Sequence, residues 1–242
     1  MLTVHLGPHK TGSTFIQRRM VQNRPLFGPN FQTLDKKDPT LFALIDALYP
    51  LQTVAEAVAA TDTIQVRAKL LGRHSAGVEN MLVSSEDLLG PLPTRRGILG
   101  LYPFAEITLG AMISGLEQAG APFQFAFYQR NYRDWLGSIY RYKFRNTPER
   151  AFAPTRFQQR HGLPASWDGF LRRLGKAVPP AQLHILSFEQ DRATGNLGTA
   201  LFDLAGLPPK VQAQFQPLKP MNVSQSKTVD PAHWKKRSKD AI

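Results

Sequence analysis

The chain is 242 residues long, 42% hydrophobic and 10% aromatic; that size and composition suit one globular domain over residues 1–242 and exclude a disordered or fibrous chain. It has no cysteine, which removes disulfides, thiolate metal sites and cysteine nucleophiles together. Thirty Lys and Arg against 18 Asp and Glu leave a formal charge of +12, so the expected partners are polyanions: nucleotide, nucleic acid, anionic lipid or acidic glycan.

No run approaches the ~18–20 uncharged apolar residues of a membrane helix, and no basic leader precedes the first apolar run. The expectation is a soluble, cytoplasmic protein without a transmembrane segment, touching anionic surfaces at most peripherally. Lys235-Lys236-Arg237-Ser238-Lys239 reads as part of a solvated basic tail over about residues 230–242.

In chain order, Leu2–Leu6 predicts a first strand and Thr14–Asn23 a helix behind a glycine turn. Helical periodicity follows over Pro39–Leu48 and Val54–Leu71, then a strand at Asn80–Ser84 and a helix at Phe104–Ala119. Phe123–Tyr128 predicts a strand, Asp134–Arg145 and Trp167–Val178 predict helices, Leu183–Phe188 a strand and Leu197–Ala205 a helix. The four strands are short and apolar enough to be buried on both faces. Alternating strand and helix implies an α/β fold: a three-layer α/β/α arrangement around a mostly parallel sheet, with ligands beyond the carboxyl ends of the strands. Gly90–Gly100, Thr147–Pro164 and Leu207–Pro220 read as loops, the second a candidate substrate cover or a plain connection.

The first strand runs into Gly7-Pro8-His9-Lys10-Thr11-Gly12-Ser13-Thr14. A glycine turn opening into a helix aims backbone amides and the positive end of the helix dipole at an anion. Gly7 and Gly12 have the G-x₄-G spacing of a nucleoside-triphosphate loop, but Ser13 stands where that motif requires lysine, and the lysine is at Lys10. A kinase or ATPase also requires an acidic residue for Mg²⁺, and none of the apolar strands ends in Asp. The third strand delivers Arg130 at its end; Asp134 suits a helix cap and Ser138 lies one turn further on, placed to meet the same anion. Arg141 and Arg145 share that helical face. After the second strand come Glu86 and Asp87: the first is a candidate general base, with His9 its rival, and the second fits the dipole of a helix start.

Strand, loop lysine before Thr-Gly-Ser-Thr, then helix resembles the 5′-phosphosulfate loop of the PAPS-dependent sulfotransferases, whose fold is P-loop NTPase-like. Arg130, Asn131, Ser138 and Tyr140 match the family's 3′-phosphate pattern, R-[DN]-P-x₅-S-x-Y, with Tyr132 in place of the proline. The segment Leu183–Asp191 resembles a scaffold strand of the family. The resemblance implies a metal-independent sulfotransferase that moves the sulfuryl group of 3′-phosphoadenosine 5′-phosphosulfate (PAPS) to an acceptor hydroxyl or amine, leaving adenosine 3′,5′-bisphosphate. The expected acceptor is a glycan, lipid-linked or other small molecule, not nucleic acid. By the same resemblance Lys10, Thr11, Gly12, Ser13, Thr14, Arg130 and Ser138 hold the nucleotide, Lys10 neutralises charge during transfer, and Glu86 or His9 is the base. The rival readings are a P-loop nucleotide kinase or NTPase, and a non-catalytic polyanion-binding module.

Overall fold

The computed structural model describes residues 1–147 and 152–218, and its frame is five parallel strands. They are β1 (Leu2–His5), β2 (Phe31–Leu34), β3 (Asn80–Ser84), β4 (Phe123–Gln129) and β5 (Leu183–Ser187), in the order β2-β3-β1-β4-β5. Eleven α-helices stand among the described residues. In chain order they are α1 (Ser13–Asn23), α2 (Pro39–Leu48), α3 (Val54–Ala59), α4 (Thr61–Ser75), α5 (Ala105–Gln118) and α6 (Tyr132–Lys143), then α7 (Pro154–Arg160), α8 (Asp168–Ala177), α9 (Phe188–Ala193), α10 (Thr199–Leu204) and α11 (Pro209–Gln212).

Period-two alternation sorts the central strands between two cores. Leu2 and Val4 of β1, Met81 and Val83 of β3, and Phe123, Phe125 and Phe127 of β4 turn into a large core shared with α2, α4, α5 and α8. Leu82, Ala126 and Tyr128 turn to the opposite face, against Ile16 and Met20 of α1 and Leu201 and Phe202 of α10. Apolar clusters on both faces make the expected three layers, and the sheet is parallel throughout.

Several expectations need correction. The sheet has a fifth strand, β2, because the four residues Phe31-Gln32-Thr33-Leu34 suffice once β3 offers them a partner. β5 is an edge strand and is not buried on both faces: Ile185 is 42% exposed. The helix expected over Val54–Leu71 breaks at Ala60 into α3 and α4, where the Thr61 hydroxyl donates to the Val58 carbonyl at 2.7 Å, and α4 runs on to Ser75. Its first half carries a capping box of Thr53 and Glu56. Within the two later loops, α7 and α11 form behind prolines that preset the first helical turn. Residues 148–151 and the expected tail over 230–242 lie outside the described residues.

Candidate active site

Parallel order places the ends of β3, β1 and β4 side by side: His5 pairs with Ser84 on one flank and Ala126 on the other. Whatever follows these strands must share one rim. After β1 the loop turns through Gly7 (φ 101°), a cis Gly7–Pro8 peptide, Lys10 (φ 70°) and Gly12 (φ 81°). Gly7 has to be glycine, because a Cβ there would stand 3.0 Å from the Glu86 Cα; the loop lies directly against the residue that follows β3.

The loop is fastened from three sides. The Arg130 guanidinium, at the end of β4, donates to the Lys10 carbonyl at 2.8 Å, and the Trp135 indole of α6 donates to the His9 carbonyl at 2.8 Å. The His9 amide donates to the Tyr102 hydroxyl at 3.0 Å. Inside the loop the Thr11 hydroxyl turns back onto the Pro8 carbonyl at 2.6 Å. Gly12 gives α1 no side-chain cap, so the first amides of that helix have no such acceptor, and the Ser13 hydroxyl is buried with no partner among the described residues. Thr14 is exposed beside it. An orphaned buried hydroxyl at an uncapped helix start suits an anion.

Lys10 makes no ion pair among the described residues. Its ammonium stands 3.5 Å from the centroid of the Tyr142 ring, and the Arg145 guanidinium lies 4.3 Å from the same ring. Burial, with Arg145 second, holds the Lys10 amine below its usual range.

On the other flank, charges are paired. Lys36, just past β2, reaches Glu86 Oε1 at 2.9 Å and Asp87 Oδ2 at 2.6 Å. Gln17 of α1 donates to Glu86 Oε2 at 2.9 Å and to the Ser84 carbonyl at 3.2 Å. Burial pushes the Glu86 carboxyl up, but the Lys36 charge and hydrogen bond outweigh it and hold the group below the usual carboxylate range. Burial acts on Asp87 in the same sense, and hydrogen bonds from His9 and Lys36 bring it down to about 2.

His9 has both ring nitrogens engaged: Nε2 lies 3.3 Å from Asp87 Oδ1 and Nδ1 lies 3.1 Å from the Tyr102 hydroxyl. Asp87 accepts from Nε2, and the Tyr102 oxygen, which accepts from the His9 amide, can pair its hydroxyl with Nδ1. Burial raises the Tyr102 phenol far above its ordinary range, so it stays a donor.

The structure thus brings His9, Lys10, Glu86 and Arg130 together and leaves others apart. Asp134 is not the cap of α6; the Asn131 side chain accepts from the Arg133 and Asp134 amides at 3.1 and 3.3 Å, so the helix starts at Tyr132. Ser138 therefore lies nearly two turns along α6, half-buried and without a hydrogen bond to Arg130 among the described residues. Arg141, three residues after Ser138 on α6, shares its face and is exposed, while Arg145 lies past the end of the helix at Lys143 and does not continue that face. Lys36, Gln17, Tyr102 and Trp135 belong to the site without having been singled out from the sequence. The available signal for Lys36 was its place after Phe-Gln-Thr-Leu, in the turn-forming Asp35-Lys36-Lys37-Asp38-Pro39.

Two grooves lie away from this rim: one, of about 480 Å³, is open between α2 and α4, and the other lies beside Phe15, Arg19 and Phe215. Set against protein-family models and against curated proteins, the sequence matches none.

Proposed function

We propose that the protein is a sulfotransferase that moves the sulfuryl group of PAPS to an acceptor hydroxyl or amine, with a P-loop-like loop as its anion cradle. The observation that carries this reading is the convergence of Lys10, Arg130 and Glu86 from three adjacent parallel strands on one glycine loop, with Arg130 bonded to the Lys10 carbonyl.

The chemistry asks little more. The acceptor oxygen forms a bond to sulfur as the bond from sulfur to the bridging phosphate oxygen breaks, and the acceptor proton passes to a base. The leaving group is activated in advance, so in-line positioning and charge stabilisation carry the rate. The uncapped amides of α1 and the Ser13 hydroxyl suit the 5′-phosphosulfate, Lys10 suits the charge that grows on the bridging oxygen, and Arg130 suits the 3′-phosphate. Glu86 is the better-placed base. It is ionised and its oxygens keep lone pairs beyond those used by Lys36 and Gln17, whereas both ring nitrogens of His9 are engaged, by Asp87 and Tyr102. A glycan or lipid-linked acceptor is the class we favour.

Thermal unfolding with added nucleotide tests the reading. Adenosine 3′,5′-bisphosphate should stabilise the protein more than ATP with Mg²⁺ does. The reverse order would replace it with a nucleotide kinase or NTPase, and equal indifference to both nucleotides would leave a polyanion-binding module.

A further inference from the structure

Lys36 is a charged group at the rim that neither the loop pattern nor the arginine pattern accounts for. It follows β2, is 36% exposed, and still holds two neighbouring carboxylates at 2.9 and 2.6 Å. A half-exposed lysine ordinarily trades its contacts for water, because an exposed ion pair gains little over hydration. Here the two acceptors are consecutive residues, Glu86 and Asp87, each only 16% exposed. Two such carboxylates without a cation between them would repel, and one would take up a proton.

We propose that Lys36 is a positioning residue of this site: by bridging Glu86 Oε1 and Asp87 Oδ2 it fixes the orientation of the Glu86 carboxylate and keeps it deprotonated.

Glu86 is gripped at both oxygens, Oε1 by Lys36 and Oε2 by Gln17. The first grip comes from the end of β2 and the second from α1, the helix that the glycine loop opens, so the carboxylate is registered against the loop as well as against its own strand. The same ammonium sets Asp87, whose other oxygen faces His9, and so reaches the loop a second time. Charged or titratable groups reach this point from several elements. Lys36 stands after β2, Lys10 and His9 in the loop, His5 at the end of β1, Asp87 beside Glu86, and Tyr102 ahead of α5. Lys36 alone among them contacts both carboxylates and carries a fixed positive charge. Burial lowers its own amine, but the Glu86 charge reverses this and leaves it above the usual lysine range, the reciprocal expected of a working pair.

The inference borrows the word base from the proposed function, but its test does not. Carboxyl ¹³C resonances of the full chain are titrated with pH, Glu86 being identified by its loss in Glu86→Gln. Lys36→Met should raise the Glu86 midpoint by about one to three pH units, and Lys36→Arg, which can span both acids, should restore it. A Lys36→Met protein that folds and titrates Glu86 at the wild-type midpoint overturns the proposal. The reciprocal reading needs no Lys36 variant: in Glu86→Gln the ¹⁵Nζ midpoint of Lys36 should fall, and an unchanged midpoint again overturns it. With an acceptor in hand, the acid limb of kcat should move with the Glu86 midpoint while KM for the nucleotide stays put. A midpoint that moves in a protein indifferent to adenosine 3′,5′-bisphosphate would uphold the role of Lys36 and remove the sulfotransferase.

Discussion

His5 ends β1 with its ring fully buried, sharing a hydrogen bond of 2.8 Å with the Ser84 hydroxyl and meeting the Tyr128 ring edge-on. Burial pushes its pKa down to about 4, against a small opposing pull from Glu86. The unfolded ring takes a proton as pH falls through about 6.5, while the folded ring refuses it until about 4. Stability is therefore complete above pH 6.5 and should decline by about 3 kcal/mol on the way to pH 4. His5→Gln should flatten that slope in urea titrations at stepped pH, while the loss owed to Asp87, confined to the range from 3.8 down to about 2, should remain. The rim residues divide the work differently. Arg130→Ala should weaken bisphosphate binding by ~1.5–3 kcal/mol, the worth of a charge-assisted bond. Lys10→Met should lower turnover more than binding if, as proposed, it acts on charge that grows during transfer. Glu86→Gln keeps the shape without the basicity and should lower turnover ~10²–10⁴-fold at nearly constant nucleotide affinity. Calorimetry and single-turnover rates on the same samples check all three, and equal losses of affinity throughout would refute the division.

At the scale of elements, the tightest contact is that between α4 and α5. A Cβ on Gly115 would stand 2.2 Å from the Gln65 carbonyl oxygen and 2.9 Å from the Lys69 amide nitrogen, both backbone atoms that cannot swing aside. Alanine ordinarily improves a helix by ~1 kcal/mol over glycine; here Gly115→Ala should instead destabilise by about 1–3 kcal/mol through overpacking. Gly110, on the same helix, has open space at the Cβ position, and Gly110→Ala should stabilise by ~0.5–1 kcal/mol. Urea midpoints at constant slope compare the two. Neither contact could be read from the sequence, which shows that α5 is amphipathic but not which helix its glycine meets. β1, β3 and β4 were legible as short runs rich in apolar, β-branched and aromatic residues, and Lys10, Arg130 and Glu86 because each lies in the turn that follows such a run. β2 and Lys36 were not: four residues carry little periodicity, and a lysine inside Asp-Lys-Lys-Asp looks like any solvated turn until β3 sets two carboxylates against it. The break at Ala60 was hidden for another reason: the helical apolar period runs across it, and Thr61 and Asp62, which suit a helix start better than a helix interior, were the local signal for it.

For the whole molecule, a nucleotide held at the rim, as proposed, would be a stability term. A nucleotide at ~100 times its dissociation constant adds ~2.7 kcal/mol, which in a chain of 242 residues should move the unfolding midpoint by roughly 5–10 °C. That shift would be felt by every strand, because the bound loop hangs from the strand at the middle of the sheet. The placement of β1 bears on synthesis as well. Leu2 pairs with Met81 and with Phe123, so neither neighbour exists while the first turn of the chain is being made. At ~5–20 residues per second, roughly 4–16 s pass before β3 is translated and roughly 6–24 s before β4 is. The glycine loop is thus made early and shaped late. Its lysine has no Arg130 to hold its carbonyl until β4 has been translated, and a nascent protein stalled short of that point would carry the loop without that bond.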